Sequence, residues 1–183
     1  MVVDCVNVRC LHRHNLTGAL LKMDNFQIAD IFSLLSKLMD IHGENSFKSK
    51  TYANAAFQLE KITEQVLNLS EEKISQIKGI GDSTAKKIVE IVNTGSLKTL
   101  TELIEKTPKG VIEMLNIKGL GPKKIRTIWQ EMEIESLGEL LYACDENRLT
   151  LYKGFGAKTQ QSIKEAIEFY LRHQGSFLYQ QVE

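Results

Sequence analysis

Apolar residues recur at helical spacing along most of this chain. Phe26, Ile28, Ala29, Ile31, Phe32, Leu34, Leu35, Leu38 and Met39 make a wide stripe, which predicts a helix from about Asn25 to Ile41. His42-Gly43-Glu44-Asn45 reads as its C-cap and turn. A second helix is predicted over Ser46 to Ile62, carrying Phe47, Tyr52, Ala55, Ala56, Phe57 and Leu59. No segment alternates with period two between turn signals. The fold class is therefore all-α, as two small helical subdomains built around three helix–turn–helix units.

The first unit spans about Ser70 to Thr94. Ser70 caps a short helix, and a longer one from Ser83 carries Ala85, Ile88, Val89 and Val92 inward. Asn93 to Lys98 is the expected seam. The second unit spans about Pro108 to Met132, with Ile125, Ile128 and Trp129 as the apolar face of its second helix. The third spans about Ser136 to Gln174, closing with Ile163, Ala166, Ile167, Tyr170 and Leu171 at helical spacing and Gly175 as the stop. The expected organisation is an extension over residues 1–22, a domain over 23–97, a second over 98–175, and a tail over 176–183.

Each unit turns on the same four-residue signal. Lys78-Gly79-Ile80-Gly81, Lys118-Gly119-Leu120-Gly121 and Lys153-Gly154-Phe155-Gly156 all read Lys-Gly-apolar-Gly. The glycines relieve backbone sterics and permit close approach. The apolar residue tucks between the flanking helices, and the next helix presents free N–H groups and the positive end of its dipole. Such a turn is a natural phosphate ligand that reads no base. A turn of this kind also serves as a plain helix connection, but three copies with matched lysines favour the phosphate reading. Local charge grades them. Lys118, Lys123, Lys124 and Arg126 surround the second turn without an acid. Lys78, Lys86 and Lys87 at the first face Asp82. Lys153 and Lys158 flank the third, which is expected chiefly to organise the fold.

Composition narrows the class. Lys and Arg total 23 and so do Asp and Glu, giving zero net charge. That excludes a globally basic binder and leaves local basic patches. Cys5, Cys10 and Cys144 lack paired metal spacing, and a knot of Cys5, Cys10, His12 and His14 has poor zinc geometry. An odd cysteine count without a secretory signal fits a reducing, cytoplasmic compartment, and no run is apolar enough to span a membrane. Asp24, Asp30 and Asp40 read as a solvated face, Trp129 as core, Tyr142 and Tyr152 as ambiguous, and His42 as a helix end.

The order of these features resembles the N-terminal part of family X DNA polymerases, especially the bacterial branch. The resemblance is carried by Ile28-Ala29-Asp30-Ile31-Phe32, by Gly43 to Tyr52, by Ile77 to Ile88, by Thr94-Gly95, by Ile117 to Ile125 and by Lys153 to Thr159. It implies a small lyase-type helical domain followed by a helix–hairpin–helix domain. It also implies DNA as partner in gapped, nicked or 5′-phosphorylated form, without a nucleotide substrate. Lys87 stands at the place of the lysine that removes 5′-deoxyribose phosphate through a Schiff base. Lys48 aligns with a 5′-phosphate-binding lysine and Tyr52 with an aromatic lining that pocket. Ser83 stands where eukaryotic lyase members carry a further lysine. Independently of the resemblance, Ser83 and Lys87 share a helix face, and a Schiff-base lysine must be neutral when it attacks, which the nearby cations Lys86, Lys48 and Lys50 favour.

No clustered carboxylates of the two-metal kind follow Gly175, so no polymerase activity is expected of this chain alone. The leading expectation is sequence-nonspecific DNA binding in repair. The alternatives are a lyase acting through Lys87 and a scaffold for a separate repair polymerase. No cofactor is required, although a monovalent cation held by turn carbonyls at Ile77 and Ile80, or at Ile117 and Leu120, fits the resemblance.

Overall fold

The computed structural model describes residues 23–179. The extension over residues 1–22, with Cys5, Cys10, His12 and His14, lies outside them. The described residues contain α1 (Asn25–His42), α2 (Ser46–Lys61), α3 (Glu71–Ser75), α4 (Asp82–Thr94), α5 (Lys98–Lys106), α6 (Lys109–Glu113), α7 (Pro122–Arg126), α8 (Leu137–Asp145) and α9 (Ala157–Tyr179), with no strand among them. None of these helices is long and apolar enough to cross a membrane. They divide into two compact units, one ending at Lys106 and the other beginning at Thr107.

In the first unit α1 opens on a capping box. Asp24 accepts from the Gln27 N–H, and the Gln27 side chain accepts from the Asp24 N–H. Gly43 at φ 70° closes the helix, and Asn45 caps α2 by accepting from the Phe47 N–H at 2.9 Å. The short turn folds α2 back along α1, with the Phe32 and Tyr52 rings stacked at 5.8 Å. Ile28, Phe32, Leu35, Leu38, Ile41, Ala55 and Leu59 fill the core. Small Ala55 and Ala56 let α1 approach closely. Asn25 is buried and ties the chain beyond α2 to the start of α1, donating to the Ile62 and Glu64 carbonyls and accepting from the Val66 N–H.

Several expectations change here. Phe26, Phe47 and Phe57 are exposed. The inward face of α2 is Ser49, Tyr52, Ala55, Ala56 and Leu59, and helical geometry turns Phe47 and Phe57 away from it. On α4 the buried positions are Thr84, Ala85, Ile88 and Ile91, so Val89 and Val92 are only half-buried. Helix α5 packs on α1 through Leu100 and Leu103, within the compact unit that ends at Lys106. Asp24 and Asp40 have structural partners, because Asp40 accepts from the Ser49 hydroxyl. Asp30 is exposed, and partial burial with Glu60 nearby raises its carboxyl pKa.

In the second unit α6 packs against the corner that precedes α8. Gly110 is needed there, since a Cβ on it would sit 2.2 Å from the Glu135 carbonyl oxygen. Ser136 and Glu139 form the capping box of α8, and the N–H groups of Glu135 first and then Ser136, donating to the Glu139 carboxylate, hold it below the usual range. Helix α7 continues into a π turn over Thr127–Glu131, a geometry that widens the helix by one residue. Ile125, Ile128 and Met132 then point inward. Trp129 is half-buried rather than core and donates from Nε1 to Glu135 Oε1 at 3.2 Å. Tyr152 donates its hydroxyl to the Glu131 carbonyl, and Tyr142 is exposed. Lys164 pairs with Asp145 at 2.5 Å and so ties α9 to α8. Cys144 is buried beside that pair, its thiol pushed up to about 11 mainly by burial. Gly175 does not stop α9, which runs to Tyr179, because about 1 kcal/mol of glycine penalty is too little to end a long helix.

Candidate nucleic-acid interface

The three Lys-Gly-apolar-Gly segments adopt one conformation. Their first glycines have φ of 89° at Gly79, 90° at Gly119 and 95° at Gly154, a region that strongly favours glycine. The apolar residue donates its N–H back across the turn in each case. Ile80 reaches the Ile77 carbonyl at 2.9 Å, Leu120 that of Ile117 at 3.1 Å, and Phe155 that of Tyr152 at 3.2 Å. Ile80, Leu120 and Phe155 are buried beneath the turn. The second glycine then opens the following helix, its carbonyl accepting from Ala85, Ile125 or Gln160.

These second glycines pose a physical question. Gly81 lies at φ −92° and Gly121 at −91°, conformations any residue adopts. Gly156 is not at positive φ either. A Cβ at Gly81, Gly121 or Gly156 would meet nothing within 4 Å. The folded chain itself has no steric need of glycine at these places. A Cβ there would stand in open space, and at Gly81 and Gly121 beside first-turn N–H groups that no side chain caps. Neither Gly81 nor Gly121 supplies a capping hydrogen bond, whereas α1, α2 and α8 are capped by Asp24, Asn45 and Ser136. The first turns of α4 and α7 are thus left open to an external acceptor.

The cations differ in availability. Lys78, Lys86, Lys118, Lys123, Arg126, Lys153 and Lys158 are exposed. Lys124 is half-buried and bends inward, its Nζ 3.4 Å from the Gly119 carbonyl oxygen and 6.0 Å from the Phe155 ring centroid. This brings the second and third turns side by side around one ammonium. Arg126 donates from Nε to Gln130 at 3.0 Å. Pro122 gives the second turn one N–H fewer than the first, where Asp82 and Ser83 both supply one. Asp82 in turn sets a carboxylate at the first residue of α4.

Ser83, Lys86 and Lys87 come together with Glu90 as the walls of an open cleft of about 440 Å³. Lys87 Nζ donates to Thr99 Oγ1 at 3.1 Å. Lys48 and Lys50 are exposed on α2, and Tyr52 is committed to the α1 contact. Burial, with Glu44 nearby, raises the Tyr52 phenol pKa. None of these three lines the cleft. The residue of α2 that meets the first turn is Gln58, whose Cγ lies 3.1 Å from where a Cβ on Gly79 would stand. Glu90 was legible in the sequence, seven residues after Ser83 on one helix face. Thr99 arrives from the next helix and has no local signal.

Two units built on this turn define the helix–hairpin–helix class. Residues 23–97 match the helix-hairpin-helix domain, and residues 111–168 match the SAM-like helix-hairpin-helix tandem. Beyond that class, the chain is 30% identical over 141 residues to the DNA polymerase/3′-5′ exonuclease PolX of Bacillus subtilis (strain 168). The match covers 75% of this chain and 24% of that protein, so the chain spans about a quarter of the length of the curated relative it matches. The chain is consistent with an N-terminal PolX-like region, as its motifs imply.

Proposed function

We propose that this chain is a sequence-nonspecific DNA-binding module that grips backbone phosphates of gapped, nicked or 5′-phosphorylated DNA in repair. The observation carrying this reading is the second glycine of each hairpin. It is unconstrained by the fold, it opens an uncapped helix in the first two hairpins, and it is flanked by exposed lysines. The helix–hairpin–helix matches and the similarity to a DNA polymerase support DNA binding in general. Titration of gapped and intact duplex at two salt concentrations tests it. Affinity falls with salt by nearly one unit of logarithmic slope per phosphate held, and the gapped substrate binds tighter. Binding that ignores salt, or no binding, overturns the proposal.

A second reading is favoured by the cleft at Lys87. A sugar aldehyde entering between Ser83 and Glu90 would meet the amine that Thr99 holds in place. Attack on that aldehyde and loss of water give an imine. Borohydride trapping on DNA carrying a 5′-deoxyribose phosphate tests this, and a Lys87→Ala chain that traps as well as the parent refutes it.

A further inference from the structure

The third hairpin carries a side chain that the other two lack. Gln76, Asn116 and Leu151 each stand three places before the positive-φ glycine of their hairpin. The turns that follow share one geometry, so the three positions are equivalent. In the first two hairpins the position holds an amide. In the third it holds a leucine with 82% of its surface in water, the largest exposure of any large apolar side chain among the described residues. The segment around it is firmly held. Leu149 and Phe155 are buried on either side. The Tyr152 N–H donates to the Leu149 carbonyl at 3.0 Å, and the Thr150 hydroxyl donates to the Asn147 carbonyl at 2.7 Å. The inward places are filled, and Leu151 is fixed outward. It closes a 3-10 turn that begins at Arg148, a geometry in which residues three apart eclipse. Leu151 and the exposed Arg148 thus share one edge. Lys153 and Lys158 are exposed beyond them, and no acid occurs from Asn147 to Lys164.

We propose that Leu151 is a wedge that enters the minor groove of duplex DNA held at the third hairpin and opens a base step there. An aliphatic side chain offers no flat face to an unpaired base, but it fits between two partly unstacked base pairs from the minor groove. Arg148 beside it suits the negative potential of that groove. An apolar protein partner would be matched by a wider patch free of charge, whereas here cations stand on both sides of a single leucine. Leucine reads no base, so selection passes to how readily a step deforms. Pyrimidine–purine steps kink easily and A-tracts are stiff. The inference rests on the phosphate-gripping reading of the hairpins and adds what the third one does to the duplex.

The test uses the full chain and two sixteen-base-pair duplexes with a dye at each end, one with central TpA steps and one with a central A-tract. Affinity and end-to-end energy transfer are read for parent, Leu151→Gln, Leu151→Met and Lys153→Gln forms. The parent bends the TpA duplex by about 20–90° and binds it about 3- to 30-fold tighter than the A-tract duplex. Leu151→Gln, which installs the amide of the first hairpin, loses the bend and binds the two duplexes within about twofold of each other. Its salt slope equals the parent's, because no phosphate contact is lost. Leu151→Met keeps an apolar tip and behaves as the parent does. Lys153→Gln lowers the slope on both duplexes by about 0.9. A Leu151→Gln chain that bends and discriminates as the parent does, or a parent that leaves the TpA duplex straight, overturns the wedge while leaving the hairpin reading intact. Absence of salt-dependent binding by the parent to either duplex overturns both.

Discussion

Replacing Gly121 by serine separates what the fold needs from what a ligand needs. The residue sits at φ −91° and ψ 163°, so serine fits the backbone without strain. No atom lies within 4 Å of the added Cβ. Loss of glycine restricts the unfolded chain, worth about 0.4–1 kcal/mol. A serine N-cap adds a few tenths by accepting from the first-turn N–H groups of α7. Together they stabilise the second unit by about 1 kcal/mol, a rise in Tm of about 4–8 °C. The same hydroxyl occupies the donors a phosphate would use, and its Cβ stands in the approach. Charge-assisted hydrogen bonds of about 1.5–3 kcal/mol are lost, which is about 10- to 150-fold in affinity, with one phosphate fewer and a salt slope lower by about 0.9. Thermal melting and fluorescence anisotropy at two salt concentrations read both effects. A more stable protein with unchanged affinity refutes the ligand-side explanation of the glycine. A less stable protein refutes the claim that the free fold does not require it.

Three further outcomes follow from the packing. Gly110→Ala drives a methyl into the Glu135 carbonyl at 2.2 Å and lowers stability by about 1–3 kcal/mol, seen as a depressed melting transition. Asn25→Ala strips three partners from the buried junction of α1 with the segment after α2, costing about 2–4 kcal/mol on the scale of unsatisfied buried groups. Chemical denaturation with unchanged m-value checks it. Burial lowers the His42 pKa from its ordinary value of 6.5, so the unfolded chain binds the proton more readily. Stability of the first unit is then full above about pH 6.5 and declines as pH falls below it, and His42→Gln flattens that part of the profile.

The hairpins were legible because their information is local. A positive φ demands glycine within four residues, and the buried Ile80, Leu120 and Phe155 follow from the same turn. The capping of α1 and the αL stop at Gly43 are equally local. Faces were harder. On α2 the apolar count includes Phe47 and Phe57, yet the helix buries Ala55 and Ala56 instead, because tight packing on α1 selects small residues. Trp129 lies at the flank of the face formed by the buried Ile125, Ile128 and Met132, in a π turn that no residue pattern encodes. At the cleft, Ser83, Lys87 and Glu90 share a face that spacing reveals, while Thr99 required the chain to turn at Gly95 and bring α5 back.

Geometry also redistributes charge among turns that look equivalent as strings. The second turn has the most cations in sequence, but Lys124 is drawn to the Gly119 carbonyl and the Phe155 ring. Its positive charge therefore acts between the second and third turns rather than at the second alone. On the phosphate-gripping proposal, the same ammonium would serve a phosphate at either turn, and the third turn would contribute to binding through a residue outside its own motif. Lys124→Gln on this view weakens both contacts and lowers the salt slope by more than the neutralisation of Lys118 or Lys123 does. The first turn has no such neighbour and carries Asp82 at the head of its helix. On the same proposal its grip would depend on Lys78 and Lys86, both exposed. On the phosphate-gripping proposal, the second unit thus offers two turns that share one cation, and the first offers one turn that shares none.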